Sequence, residues 1–203
     1  MATTGDGKQP ELSGDKATRI VDAMRKSIAT RGPVGSTFDN VARDAGVSRG
    51  LLHYYFGSKE RLMIEVIRQE TELRIAQIEV AFETITSAQD VLDILLGQLA
   101  NIINDEPSVY MLGFEMMGEA RRNQEIGSVV AEYQRRTRRR LAETLRNKQE
   151  QGVINMTVDP LGAASLILAL GQGLAMEILS DPEGDHSATL AATQQAGLVL
   201  LGG

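Results

Sequence analysis

Apolar residues recur at three- and four-residue spacing through most of this 203-residue chain, and no useful stretch alternates apolar with polar as a half-buried strand would. That pattern restricts the fold to an all-α architecture. The prolines agree: Pro33, Pro107, Pro160 and Pro182 stand between periodic segments, where a fixed φ and a missing N–H do no harm. The spacing predicts a first helix over about Lys16–Arg31, with Ile20, Ala23, Met24, Ser27 and Ile28 on its inner stripe. Short helices follow over about Thr37–Ala45 and Ser48–Tyr54, and a longer one runs from Ser58 towards Phe82. Another begins at Ser87, where Ser87 and Asp90 make a capping-box pattern before Val91, Leu92, Leu95 and Leu99. Beyond Pro107 come a short helix, a long one over about Gln124–Gln151, an apolar one from Asp159 and a last one from Ser187. Residues Met1 to Asp15 are polar, rich in Gly and Thr and aperiodic, and read as a disordered leader.

Composition excludes several classes of function. With no cysteine there is neither a disulfide framework nor a thiolate metal site, and with histidine only at His53 and His186 a histidine metal cluster is not expected. No metal and no cofactor is therefore anticipated. The N-terminal residues lack the charged and apolar regions of a signal peptide, which makes the cytoplasm the expected location. Leu161 to Met176 is nearly apolar and close to bilayer-spanning length. Gln172 interrupts it, Glu177 ends it and small residues dominate it, so a helix buried in protein is expected and no membrane. The formal net charge of −6 conceals a division: residues 16–68 carry +5 and the remainder −11. A basic module on an acidic body suits contact with DNA phosphates.

The stretch from Thr37 to Arg61 (TFDNVARDAGVSRGLLHYYFGSKER) turns that charge into a motif. Phe38, Val41, Ala42 and Ala45 make one apolar stripe over two turns. Gly46 follows, free to take the left-handed conformation that ends a helix, with Val47 behind it. Ser48 can cap the next helix, where Leu52 and Phe56 recur at i and i+4. Two short helices joined by a glycine turn make a helix-turn-helix. On the second, Arg49 and His53 are one turn apart. Gly50 lets backbone come close to DNA, Arg49 can engage guanine O6 and N7, and Leu51 can touch a thymine methyl. Tyr55 and Lys59 can reach phosphates, and Ser36 and Thr37, with the free N–H groups that follow, suit a phosphate on the flanking side. Half of the eight aromatics (Phe38, Tyr54, Tyr55 and Phe56) fall here, and Tyr54 and Phe56 are expected in the core of the small domain.

The run V-S-R-G-L-L-H-Y-Y-F-G-S-K-E-R-L resembles the signature of the TetR (tetracycline-repressor) family, in which a serine-capped recognition helix ends in aromatics and a Ser-Lys-Glu stretch. The resemblance is specific over about Lys16–Arg68. It implies an N-terminal three-helix helix-turn-helix domain (16–68) joined to a larger helical ligand-binding and dimerisation domain (69–203), with the boundary inside the long fourth helix. It also implies a homodimer on a palindromic DNA operator and release by a small molecule. Carried over by position, base contacts fall to Arg49, Gly50, Leu51 and His53, and phosphate contacts to Thr37, Tyr55 and Lys59, with Ser48 as the cap of the reading helix. His53 departs from the pattern, which usually has tyrosine there.

For the body, the apolar helix from Asp159 mixes small residues with Leu166, Leu170, Gly173 and Leu174, and the last helix adds Leu190, Gly197, Leu198 and Leu201. Two terminal helices this apolar are expected to pair with a second copy. A ligand pocket for an apolar or amphipathic molecule is expected around Tyr110, Met111, Phe114, Met117 and Gln172, where methionine provides an adaptable wall. The arginine run at 135, 136, 138, 139 and 140 is read as a solvated face pairing with Glu132 and Glu143. An all-helical enzyme is disfavoured by the absence of a nucleophile–base pair or HExxH. A protein-binding scaffold would leave the helix-turn-helix without a role.

Overall fold

The computed structural model describes residues 14–105 and 107–203. Among these it has nine helices and no strand: α1 Gly14–Gly35, α2 Phe38–Ala45, α3 Arg49–Phe56, α4 Lys59–Phe82, α5 Ala88–Asp105, α6 Pro107–Ala120, α7 Gln124–Glu150, α8 Pro160–Ser180 and α9 Ser187–Leu201. Each expected helix is present. The assigned leader lies outside the described residues except for Gly14 and Asp15, which already belong to α1. That helix is interrupted at Gly32 (φ 70°, ψ 169°), immediately before Pro33. A residue preceding proline is driven out of the α region, and glycine takes a positive φ cheaply, so the interruption falls where the sequence ends the helix.

The chain divides into two compact units at Val66/Ile67, a point within α4. The first unit buries Ile20, Met24, Ile28, Val41, Leu52 and Leu62 completely, together with Ala23 and Ser27, so the stripe read from α1 is its inner face. The core of the second unit gathers Phe82, Val91 and Leu92 with Leu141, Leu145, Ala163, Ala164 and Leu201. Long α7 is central to it, packing on α6 and α8, while α9 lies against α5 and α8.

Caps fix where these helices begin. Ser87 and Asp90 form the reciprocal box: the Asp90 N–H donates to Ser87 Oγ (3.1 Å) and the Ser87 N–H to Asp90 Oδ2 (3.0 Å). With Thr86 also donating through N–H and hydroxyl, the Asp90 carboxyl is held below the usual carboxylate range. Asn123 accepts from the N–H groups of Glu125 and Ile126 at the start of α7. Asp159 does the same for Leu161 and Gly162 at the start of α8, whose first position is Pro160.

The register of the last two helices corrects part of the expected intersubunit face. Leu174 (3% exposed), Gly197 and Leu201 (0% exposed) are committed to the unit's own core. A Cβ on Gly197 would sit 2.6 Å from Leu92 Cδ2, so that glycine lets α9 approach α5, not a second chain. Among the residues that α8 leaves outside, Gly162, Leu166, Ala169, Gly173 and Met176 follow one another at alternating four- and three-residue steps. Leu190 and Val199 are the large exposed apolar residues of α9, and Leu170 and Leu198 are half-buried. By length and composition α8 could cross a membrane. Its inner face, however, packs Ala163 and Ala164 against the Leu141 and Leu145 side of α7.

The arginine run also differs from expectation. Arg135 pairs with Glu132 on its own helix, but Arg140 reaches α4, holding Glu72 through Nη1 (3.1 Å) and Glu79 through Nε (3.0 Å) and Nη2. Arg136 joins it at Glu72 (3.0 Å). Spacing along one helix cannot reveal partners some 60 residues away in sequence.

Leu145 is fully buried where α5, α7 and α8 residues meet. Leu145→Ala is expected to lower unfolding stability by about 2–5 kcal/mol, read as a shift in the urea midpoint.

Candidate nucleic-acid interface

Helix α2 sets the position of α3. Thr37 caps it, with Oγ1 accepting from the Asn40 N–H (3.3 Å). Its inner stripe of Phe38, Val41, Ala42 and Ala45 is buried throughout. At its end Gly46 adopts the left-handed conformation (φ 68°, ψ 37°), and the Val47 N–H returns to the Ala42 carbonyl (2.9 Å). The chain therefore turns sharply and satisfies carbonyls that α2 would otherwise leave bare. Arg19 of α1 donates to the Ala45 carbonyl (2.7 Å), bringing a positive charge to the negative end of the α2 dipole. Ser48 then caps α3, accepting from the Leu51 N–H (3.3 Å).

Within α3, Leu52 is completely buried and anchors the helix. Arg49, Gly50, His53 and Tyr54 are exposed and Leu51, Tyr55 and Phe56 half-buried. The outward surface is therefore led by an arginine at the N-terminal end. A Cβ on Gly50 would meet nothing nearer than Ser48 Oγ at 3.9 Å, so the fold itself does not demand glycine there. Its absence of side chain leaves bare backbone beside Arg49. The Arg49 guanidinium donates through Nη1 to both carboxylate oxygens of Asp39 (3.2 and 3.3 Å). The His53 ring stands edge-on to Phe38, with centroids 4.8 Å apart.

Several sequence expectations change here. Ser36 leaves the set of phosphate contacts because it is wholly buried and its hydroxyl donates to the Gly32 carbonyl (2.8 Å). Thr37 stays exposed. Lys59 donates to the Val34 carbonyl (3.3 Å), which places its ammonium beside the α1–α2 connection. Tyr54, expected in the core, is 64% exposed. Helical geometry carried the signal: Tyr54 lies two residues, about 200°, from buried Leu52, on the same side as Gly50. The burial tendency of aromatics outweighed it.

In the second unit the residues expected to hold a ligand are only partly gathered. Tyr110, Met111, Phe114 and Met117 are half-buried on α6, and Tyr110 meets Phe114 edge-on at 5.5 Å. Burial, with Tyr133 close by, pushes the Tyr110 phenol up to about 12. The Tyr133 hydroxyl is in turn hydrogen-bonded to the Thr71 hydroxyl of α4 (2.6 Å). Sequence reading missed Tyr133 and Thr71, because nothing local marks a contact between α4 and α7. Gln172 is half-buried on α8, and no hydrogen bond joins it to these aromatics.

Comparison with known proteins agrees with this architecture. Residues 20–66 match the family model for bacterial regulatory proteins of the tetR family, and residues 89–199 match that for the C-terminal region of BetI-type transcriptional repressors. The chain is 24% identical over 198 residues to the HTH-type transcriptional regulator UidR of Escherichia coli strain K12, covering 98% of this chain and 96% of the relative. It is 30% identical over 127 residues to the HTH-type transcriptional regulator BetI of Rhizobium meliloti strain 1021, covering 63% of each. A solved TetR-family regulator structure from Rhodococcus sp. superposes with a TM-score of 0.71 at 25% identity, covering 92% of this chain and 98% of the other.

The turn depends on the positive φ of Gly46, which a side chain tolerates poorly. Gly46→Ala is expected to destabilise the chain by about 1–2 kcal/mol in chemical denaturation.

Proposed function

The chain belongs to the tetR family of bacterial regulatory proteins, a family of DNA-binding transcriptional regulators and not of enzymes, and we propose that it is a ligand-released repressor acting on a palindromic operator as a homodimer. The observation that carries this reading is the exposed face of α3, capped by Ser48 and opened by Arg49, in the basic part of the chain. In the proposed complex α3 enters the major groove. Arg49 and His53 meet base edges, Gly50 permits close approach, and Thr37, Tyr55 and Lys59 hold phosphates. The exposed Tyr54 joins this surface.

The second copy docks through the outer stripe of α8, Gly162, Leu166, Ala169, Gly173 and Met176, with Leu190 and Val199 of α9. The stripe supports this because its steps keep it on one side of the helix and its small residues let two helices come close. Two reading helices about one DNA turn apart (~34–36 Å) would then fit successive major grooves. The inducer is an apolar or amphipathic molecule received near Tyr110, Met111, Phe114 and Met117. Tyr133, bonded to Thr71, is the route by which it acts on α4. Binding that favours a different α4 conformation lowers operator affinity by that difference in preference. The cytoplasm is the compartment this role requires.

Gel shifts with DNA from upstream of the coding sequence test the reading. Arg49→Ala is expected to abolish preference for operator over random DNA. Lys59→Ala is expected to weaken binding to all sequences alike and to flatten the salt dependence by about one unit of slope. Binding that showed no sequence preference and no salt dependence would refute it. Leu166→Asp places a charge on the outer stripe without entering the core, and should halve the mass measured by sedimentation. An unchanged mass would remove α8 from the interface.

A further inference from the structure

His53 lies one turn beyond Arg49 on the exposed side of α3, and two contacts hold its imidazole. The ring packs edge-on against Phe38, and Nδ1 sits 3.2 Å from the Gly57 carbonyl oxygen. A carbonyl oxygen can only accept a hydrogen bond, so Nδ1 must carry the proton. In the neutral ring Nε2 is then a bare acceptor. Nε2 has no hydrogen-bond partner among the described residues. The carbonyl that imposes this tautomer belongs to a glycine at φ 74°, ψ −55°, just past the end of α3, whose own N–H donates to the His53 carbonyl (2.9 Å). Side chain and backbone of His53 are thus both tied to Gly57.

An acceptor cannot bond to a phosphate oxygen, which has no hydrogen to give. In the major groove it can bond only to the exocyclic amino groups, adenine N6 or cytosine N4, because guanine O6 and N7 and thymine O4 are themselves acceptors. Building on the DNA-binding reading above, we propose that His53 is a specificity-determining residue whose neutral Nε2 accepts from adenine N6 or cytosine N4 in each half-site. Arg49, which has only donors, asks for guanine at its own position. Two readers one turn apart therefore make opposite demands, and a register slip of the helix along the groove mismatches both.

The test uses full-length protein at about pH 8 and an operator selected from random duplexes. Single-base variants of that operator, bound by wild type and by His53→Ala, locate the base pair whose preference disappears in the variant. At that pair the amino group is deleted, using purine for adenine or 2-pyrimidinone for cytosine. In a separate duplex the purine N7 is replaced by carbon. The expected result is a roughly 3- to 10-fold loss of wild-type affinity on deleting the amino group, no loss on removing N7, and indifference of His53→Ala to either change. His53→Arg, which exchanges an acceptor for donors, should move the preference at that pair to guanine on the contacted strand. A loss on removing N7 would show that His53 donates, and the proposal falls. It falls equally if His53→Ala weakens binding to every duplex by one factor, the mark of a packing role against Phe38. Selection that yields no preferred sequence for wild type overturns the DNA-binding reading itself, whereas a preferred operator in which no pair answers to His53 overturns this inference alone.

Discussion

A single left-handed residue at the end of α2 governs what the first unit can present. Gly46 reverses the chain within one turn, Val47 closes back onto the Ala42 carbonyl, and Arg19 donates to the Ala45 carbonyl beside it. Because α2 is pinned by its buried stripe, the direction in which α3 leaves Gly46 decides which residues of α3 are covered. Leu52 goes inward, and Arg49, Gly50, His53 and Tyr54 come outward. Were the turn looser, α3 could roll about its axis, and a roll of one residue, about 100°, would exchange these roles. The backbone conformation of one glycine thus precedes the electrostatics of the interface.

In the second unit the comparable constraint is the grip of α7 on α4. Arg140 bridges Glu72 and Glu79, Arg136 shares Glu72, and Tyr133 adds its hydroxyl bond to Thr71. These groups are partly buried, and the guanidinium of Arg140 meets Glu79 with two nitrogens at once, a geometry that resists sliding better than a lone ammonium. The helix that this cluster holds, α4, is also the one within which the chain divides into its two units.

The legibility of the sequence followed the range of the forces involved. The starts of α3 and α5 were readable because capping is local: Ser48 and Ser87 each act within three residues. The glycine turn was readable for the same reason. Positions whose fate depends on distant elements were not. Gly197 and Leu174 looked like interface residues, because composition marks an apolar face without saying which side meets α5 and which stays outside. Arg136 and Arg140 looked like solvated charge, their partners being far away in sequence. Ser36 was misplaced because its hydroxyl turns back to the Gly32 carbonyl, and Tyr54 because a residue-type average outweighed helical phase. Phase alone places Tyr54 opposite Leu52.

The Asp39–Arg49 pair gives the protein an internal competitor for the arginine that heads the exposed face of α3. Any outside acceptor that takes the Arg49 guanidinium must first repay the opening of that pair, and where none is offered the pair stays closed. An exposed pair of this kind is worth at most about 1 kcal/mol, roughly a fivefold handicap. The cost falls on whatever opens the pair, and one bidentate acceptor for the guanidinium is enough to outweigh it.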